Sequence, residues 1–307
     1  MVDLLKVSYL VPEIQRQVSR HHLNVFDGSF VLKNGGKDYT TDVDRIVEQE
    51  LSSRLHEEFP GTAVLGEEET SADENSRFMW VIDPTDGTAV FATGGEYFSS
   101  SIALIDRENG TVPFGSVYQP RRGRQFIRNN LYCGAPDICV RLRIQVLSEY
   151  QDDFVVFRPE RSQSSSMTDM LVCAVATSKY LPQHPGLKEK LDRLFRKERV
   201  PIIDREYGMI NAKPASGSSA LYLCDTASGN RHGAILYFQK AWDLAVGALF
   251  ARDAGCVVTC STKGIELEGE DIEKVIAGCS RNTLVNCAVY ANQDVKNTVE
   301  RMMNTNF

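Results

Sequence analysis

Apolar residues recur at helical spacing over residues 43–55, which predicts an amphipathic helix packed against the rest of the protein. Short apolar runs bounded by turn residues follow at 63–65 and 78–82, and they predict two strands. Residues 98–105 and 112–118 are rich in β-forming side chains, and an Asn-Gly pair lies between them. Because Asn-Gly favours the tight turn that joins two antiparallel strands, we expect a hairpin there.

Strands and helices continue to alternate after about residue 150. The predicted strands are 154–157 and 234–238, and the predicted helices are 187–197, 218–228, 243–254 and 282–303. Such alternation predicts the α/β class (α+β layered), with helices and sheets stacked in layers. The length favours two lobes, which we place at residues 1–150 and 151–307.

The composition and charge of the chain argue against two kinds of partner, nucleic acids and membranes. The chain of 307 residues carries a net charge of −7 and has no Lys/Arg-rich run, so we expect no nucleic acid polymer as a partner. It has no apolar stretch near the roughly 20 residues that cross a bilayer and no signal-peptide pattern, so we expect no membrane partner. The eight cysteines are scattered through apolar segments, which is typical of reduced thiols in a cytoplasmic protein.

The strongest chemical signal is the sequence Asp83-Pro84-Thr85-Asp86-Gly87-Thr88, which follows the predicted strand at 78–82. A strand that ends at Asp83 and then turns can direct two carboxylates, Asp83 and Asp86, at one point. Asp, Pro and Gly also favour turns for local reasons alone. At ordinary residue frequencies, however, the five fixed positions arise by chance in on the order of one chain in 10⁴ of this length.

Two further acidic positions lie at the ends of predicted elements. Glu67 follows the short strand at 63–65, and Asp243 begins an apolar helix. Each has a simpler explanation, since acidic runs are usually solvated and Asp is a common helix N-cap. Together with Asp83 and Asp86 they form a set of carboxylates at the sheet edge where α/β proteins gather ligands. Ligation by oxygen alone suits Mg²⁺ or Mn²⁺ rather than zinc.

These segments resemble the signature of the inositol monophosphatase family. The resemblance runs from about Lys37 to Cys256 and includes the G-E-E segment at Glu67, the D-P-x-D-G-T turn and the Trp242-Asp243 pair. Residues 37–44 are similar to the family's D-x-x-T-x-x-D stretch, and residues 216–220 are similar to its G-S-A-A helix start. The turn carries Thr85 where the family usually has Ile or Leu, a difference from which we expect little consequence.

The resemblance implies a phosphatase with two or three Mg²⁺ ions, Mn²⁺ being an alternative. It assigns the metal ligands to Glu67, Asp83, the Thr85 carbonyl, Asp86 and Asp243. It assigns the catalytic step to Asp44, Thr88 and Glu67, with Asp44 and Thr88 orienting and deprotonating water. Backbone amides at Gly87 and Thr88 are implied to bind phosphate. The resemblance also implies a homodimer.

Substrate contacts are predicted at Arg158, Ser218 and Lys240. The substrate is a small-molecule phosphate ester, and sugar, nucleotide, inositol and biosynthetic-intermediate phosphates all fit this description. Family members that act on inositol phosphate carry a glutamate seven residues before the Trp-Asp aspartate, where this chain has Leu236. We therefore expect inositol 1-phosphate not to be the preferred substrate. The alternative function is that of a regulatory or interaction protein that retains the fold without turnover.

Overall fold

The structure, a computed structural model, describes most of the chain outside one central stretch. The described residues are 2–24, 30–33, 38–68, 70–71, 76–129, 172–176, 180, 183–196, 205–207, 217–267 and 269–304. The predicted strand at 154–157, Arg158 and the predicted lobe boundary near residue 150 lie outside these ranges, so the division into two lobes stays a prediction.

The helices of the described residues range from 4 to 17 residues in length. They are α1 (Leu4–Val18), α2 (His21–Asn24), α3 (Asp42–Glu58), α4 (Thr88–Ala92), α5 (Pro185–Arg196), α6 (Ser219–Ala227), α7 (Ala241–Asp253), α8 (Ile272–Ala277) and α9 (Gln293–Asn304). None of the helices in the described ranges is long and apolar enough to cross a bilayer.

The strands form a hairpin and two sheets. They are β1 (Phe30–Lys33), β2 (Asp38–Thr41), β3 (Ala63–Gly66), β4 (Thr70–Ser71), β5 (Phe78–Asp86), β6 (Ser99–Asp106), β7 (Thr111–Gln119), β8 (Arg124–Asn129), β9 (Val172–Ala176), β10 (Arg205–Tyr207), β11 (Gly233–Gln239), β12 (Val257–Ser261) and β13 (Val285–Tyr290). The first sheet has the order β4-β3-β5-β6-β7-β8, and the second has the order β10-β9-β11-β13-β12.

Both faces of each sheet are covered, which produces five layers of alternating helix and sheet. Along β5, Trp80 and Ile82 pack with α1 and α3 on the outer face, whereas Met79 and Val81 pack with α6 and α7 on the inner face. The inner faces of both sheets share the α6–α7 layer, and α5 and α9 cover the outer face of the second sheet. The predicted layered α/β class is therefore confirmed.

The structure confirms most of the predicted elements that it describes. The amphipathic helix is α3, the two short strands are β3 and β5, and the hairpin is β6–β7. One prediction is wrong, because residues 282–303 are not one helix. Their first part is β13, which pairs with both β11 and β12 and is buried along its whole length. A central strand with apolar residues on both faces shows no alternation, and its composition then resembles that of a buried helix.

Candidate metal centre

Asp83 lies at the end of the regularly paired part of β5. The pairing of β5 with β6 is regular from Phe78 to Asp83 and then shifts register before Asp86. The carboxylate of Asp83 accepts a hydrogen bond from the backbone N–H of Thr85 at 2.9 Å, which closes the Asp-Pro-Thr turn locally. Because the ladder is interrupted here, two carboxylates three residues apart leave the strand at the same edge of the sheet.

Asp86 is bound by the N-terminus of α6. Its carboxylate oxygens accept hydrogen bonds from the backbone N–H groups of Ser219 at 3.1 Å and Ala220 at 2.7 Å. The hydroxyl of Ser218, the N-cap of α6, donates to the same carboxylate at 2.7 Å. A helix N-terminus favours a negative charge because its first amides have no intrahelical acceptor. The Ser218 side chain, fully buried, therefore orients Asp86, and its contact with substrate stays a prediction.

Asp243 comes from a second element, the first turn of α7. Its carboxylate accepts a hydrogen bond from the backbone N–H of Lys240 at 2.8 Å. This contact supports the helix-cap explanation. Asp83, Asp86 and Asp243 each offer a ligand atom, and these three atoms lie within 4.8 Å of one another. The structure thus brings together three of the predicted metal ligands.

The electrostatics of this cluster favour a cation. Burial raises the pKa of Asp83 well above its ordinary value, and the negative charges of Glu67, Asp86, Asp243 and Asp44 raise it further. A divalent ion at the cluster would offset this repulsion, and the donors are oxygen atoms throughout, as Mg²⁺ requires. The residues present therefore fit Mg²⁺.

Glu67 lies at the rim of the cluster, directly after β3. Its backbone N–H continues the sheet by donating to the carbonyl of Ile82 at 3.2 Å. The guanidinium of Arg281 donates to the carbonyl oxygens of Glu67 at 2.6 Å and Glu68 at 3.1 Å. The ammonium of Lys240 in turn donates to the carbonyl of Arg281 at 2.7 Å. Lys240 and Arg281 thus join the rim loop to the second sheet.

The two members of the predicted water-activating pair lie on either side of the turn. The Thr88 hydroxyl donates to the carbonyl of Thr85 at 2.8 Å. Asp44 is buried at the start of α3, and burial raises the pKa of its carboxyl group. His22, a residue absent from the sequence prediction, lies with its Nε2 atom 2.9 Å from the Thr85 hydroxyl.

Gly87 occupies a position that requires glycine. Its φ of +91° lies in the left-handed region, and a Cβ there would approach the backbone nitrogen of Ser218 to 2.9 Å. Glycine at this position lets the turn and the start of α6 come into contact.

Leu236 occupies the position of the glutamate expected in family members that act on inositol phosphate. Its side chain is fully buried among the residues of the inner layer.

Comparison with known proteins gives one consistent family. The model of the inositol monophosphatase family matches residues 5–294. The chain is 29% identical over 265 residues to Nus factor SuhB of Xylella fastidiosa, with 84% of this chain and 83% of that protein covered. It is 25% identical over 227 residues to the fructose-1,6-bisphosphatase/inositol-1-monophosphatase of Thermotoga maritima, with 74% and 73% covered. A solved IMPase/NADP phosphatase in complex with Mg²⁺ and phosphate has the same fold, with a TM-score of 0.67, 18% identity, and 99% and 97% of the two chains covered.

Proposed function

Because the chain belongs to the inositol monophosphatase family, we propose that it is a Mg²⁺-dependent phosphatase that hydrolyses a phosphate monoester of a small molecule. The observation that carries the proposal is the meeting of ligand atoms of Asp83, Asp86 and Asp243, from the strand β5 and the helix α7, within 4.8 Å. The relative named as a fructose-1,6-bisphosphatase/inositol-1-monophosphatase and the solved relative with Mg²⁺ and phosphate support it.

The residues that would hold two or three Mg²⁺ ions are Glu67, Asp83, the Thr85 carbonyl, Asp86 and Asp243. When bound, Mg²⁺ lowers the pKa of water and compensates the charge of the phosphate and of the leaving oxygen. Asp44 then accepts the proton of the attacking water, and Thr88 orients that water. Burial raises the pKa of Asp44, which makes its carboxylate a stronger proton acceptor than an exposed aspartate. The amides of Gly87 and Thr88 bind the phosphate oxygens.

We propose a leaving group larger or less hydroxylated than inositol. Leu236 stands where family members that act on inositol phosphate carry a glutamate. A carboxylate that accepts hydroxyl protons contributes about 1.5–3 kcal/mol per charge-assisted hydrogen bond, and leucine contributes none. Hydroxyls left without partners in a closed pocket discriminate strongly against a substrate. Lys240, at the rim, is positioned to contact an anionic or polar part of such a substrate.

A second candidate function is suggested by the relatives named Nus factor SuhB. Those names describe a factor and not a hydrolase, and a protein of this fold can act as a factor through its surface. The ligand set distinguishes the two candidates, because a purely structural partner has no need of Glu67, Asp83, Asp86 and Asp243. We therefore favour the phosphatase, acting as a homodimer, whose assembly can be measured by sedimentation.

The test is phosphate release from a panel of phosphorylated metabolites with Mg²⁺ present and with EDTA. The panel contains inositol 1-phosphate, fructose 1,6-bisphosphate and adenosine 3′,5′-bisphosphate. We expect Mg²⁺-dependent release and a kcat/KM for inositol 1-phosphate below that of another member. Asp44→Asn should lower kcat by roughly 10²–10⁴ while Mg²⁺ affinity stays close to that of the wild type. Equal, slow release by wild type and Asp44→Asn would leave the second candidate standing.

A further inference from the structure

The strand β11 contains a bulge just before it leads into α7. Its pairing with β13 is regular over residues 233–236 and shifts by one residue before Gln239. Tyr237 and Phe238 therefore lie opposite a single residue of β13, Asn286, which is the arrangement of a β-bulge. The backbone N–H of Phe238 donates to Oδ1 of Asn286 at 2.8 Å, so a side chain replaces the interrupted ladder.

The bulge decides which face of the sheet Gln239 occupies. Side chains of a regular strand alternate, so with Leu236 on the inner face residue 239 would lie on the outer face. In the structure Tyr237 and Phe238 both belong to the outer core, whereas the side chain of Gln239 reaches α6 in the inner layer. The extra residue thus turns Gln239 toward the helix whose first amides hold Asp86.

Phe238 pays for this change of face with a strained backbone. Its φ of +59° lies in the left-handed region, which large L side chains rarely adopt and which bulges commonly give to glycine. The ring packs against Tyr180 and His184, with centroid distances of 5.6 and 5.0 Å. Such strain persists where surrounding contacts over-determine it, and it clusters at functional sites. What the strained backbone provides here is the orientation of the next residue, Gln239.

The side-chain amide of Gln239 is buried, at 5% exposure, and makes two hydrogen bonds. Its Oε1 atom accepts the hydroxyl of Ser219 at 2.8 Å, and its Nε2 atom donates to the carbonyl of Tyr237 at 2.8 Å. Ser219 is the first residue of α6, and its backbone N–H donates to Asp86 at 3.1 Å. Ser219 therefore connects the bulged strand, through its side chain, to a predicted metal ligand, through its backbone.

The residue after Gln239 contacts a second carboxylate of the cluster. The backbone N–H of Lys240 donates to Asp243 at 2.8 Å. One peptide bond thus joins the residue that holds the start of α6 to the residue that holds Asp243. Because Asp86 and Asp243 come from different elements, this short segment is a direct link between them.

We propose that Gln239 is a positioning residue for the metal centre, which fixes the start of α6, and with it Asp86, relative to Asp243. The proposal deepens the proposed function and rests on its assignment of Asp86 and Asp243 as Mg²⁺ ligands. Glutamine suits this place because its amide accepts from a hydroxyl and donates to a carbonyl at the same time. A glutamate would lose the donor, and an apolar side chain would make neither bond.

The experiment measures the Kd for Mg²⁺ by calorimetry, with the metal alone and no substrate. Gln239→Met keeps the length of the side chain and removes both hydrogen bonds. We expect its Kd to rise about 3- to 10-fold, at or below the lower limit of the effect of residues bonded directly to a metal ligand, because Gln239 acts through Ser219. Ser219→Ala keeps the amide that Asp86 accepts, and it should raise the Kd alone but add little to Gln239→Met.

Gln15→Met is the matched control. Gln15 is fully buried, its Nε2 atom donates to the carbonyl of Ser100 at 2.9 Å, and its Oε1 atom accepts the hydroxyl of Ser116 at 2.6 Å. These bonds have the same chemistry as those of Gln239, but they join α1 to β6 and β7 and involve neither α6 nor α7. Urea midpoints should fall for both glutamine variants, whereas the Kd for Mg²⁺ should rise only for Gln239→Met.

Equal Mg²⁺ affinity of wild type and Gln239→Met would overturn the proposal. An equal loss in Gln15→Met would also overturn it, because the effect would then follow stability alone. Losses that multiply in the double variant would contradict the route through Ser219. If Gln239→Met does not fold, Ser219→Ala decides, and an unchanged Kd refutes the proposal.

Phosphate release from the same proteins separates this proposal from the proposed function. A wild type that binds Mg²⁺ but releases phosphate from no substrate would refute the phosphatase, while the comparison of Kd values still decides the role of Gln239. Phosphate release with equal Kd values in all variants would leave the phosphatase standing and refute the positioning role. A wild type that binds no Mg²⁺ would overturn both.

Discussion

Replacement of Asp83 by Asn should stabilise the metal-free protein and remove its response to Mg²⁺. Asp83 lies in the carboxylate cluster, where its pKa is raised by burial and then by the surrounding negative charges. Asn keeps the shape, and its carbonyl oxygen can still accept the N–H of Thr85. The substitution therefore removes one charge from a repulsive cluster without removing the local turn contact.

The magnitude follows from the spacing of the ligand atoms. At an effective dielectric constant of about 20, two unit charges 4.8 Å apart repel by about 3 kcal/mol. Because the raised pKa of Asp83 lets the cluster relieve part of this repulsion by binding a proton, we expect a gain of about 1–3 kcal/mol for Asp83→Asn. The unfolding entropy of a chain of 307 residues is about 0.6 kcal/mol/K, and the gain then raises the Tm by about 2–5 °C in EDTA.

Magnesium should stabilise the wild type but not the Asp83→Asn variant. A ligand that binds only the folded state at about 100 times its Kd stabilises by about 2.7 kcal/mol. Wild type should therefore gain about 4 °C when Mg²⁺ replaces EDTA, and Asp83→Asn should gain little. The two melting curves would converge or cross as Mg²⁺ is added, which differential scanning fluorimetry can follow in a single titration.

Asp225→Asn is the matched control. Asp225 is also buried, but it accepts a hydrogen bond from Tyr97 at 2.5 Å and forms an ion pair with Arg124 at 3.0 Å. Its neutralisation leaves Arg124 without its partner carboxylate charge, so the Tm should fall while the response to Mg²⁺ remains. A lower Tm for Asp83→Asn in EDTA, or a Mg²⁺ response as large as that of wild type, would refute the assignment of Asp83 to a shared cation site.

Three other substitutions test separate parts of the site. Gly87→Ala should lower both Tm and kcat, because the new Cβ would lie 2.9 Å from the backbone nitrogen of Ser218. Gly94 also has a positive φ but has open space around it, so Gly94→Ala should lower the Tm only a little in a matched thermal melt. Arg281→Met should weaken Mg²⁺ binding measured by calorimetry, because the two carbonyls after β3 lose their guanidinium donor, and an unchanged Kd would exclude this support role. Thr88→Ala should lower kcat by roughly 10²–10⁴ with KM broadly retained, and a change confined to KM would assign Thr88 to substrate binding instead.

The carboxylates of the site could be predicted from the sequence because each has a local signal. Asp83 and Asp86 follow a strand in a turn, and Asp243 starts an apolar helix. In the structure, neighbours in sequence hold Asp83, through Thr85, and Asp243, through Lys240, whereas Asp86 is held by amides at the start of α6 that lie 133 and 134 positions away. A residue that satisfies a turn or a cap is placed by its neighbours in sequence, and the fold has only to bring these element ends together.

The supporting residues had no such signal. His22 contacts Thr85 across 63 positions and Arg281 contacts Glu67 across 214, and neither belongs to a periodic pattern or a short motif. The role of a lone histidine or of an arginine in a loop can be recognised only from its tertiary contacts. The same limit explains β13, since burial of both of its faces removes the alternation by which a strand is recognised.

The way the carboxylates are held bears on what a metal ion contributes. Asp86 receives two amides and a hydroxyl at the start of α6, and Asp243 receives an amide at the start of α7. These donors compensate part of the negative charge and belong to the fold itself, so the cluster is assembled by the same contacts that begin two central helices. Asp83, whose hydrogen bond in the turn comes from one amide, lies against all of its acidic neighbours. The charge that the fold leaves uncompensated is therefore concentrated at Asp83, and a cation bound there serves chemistry without being needed to build the site.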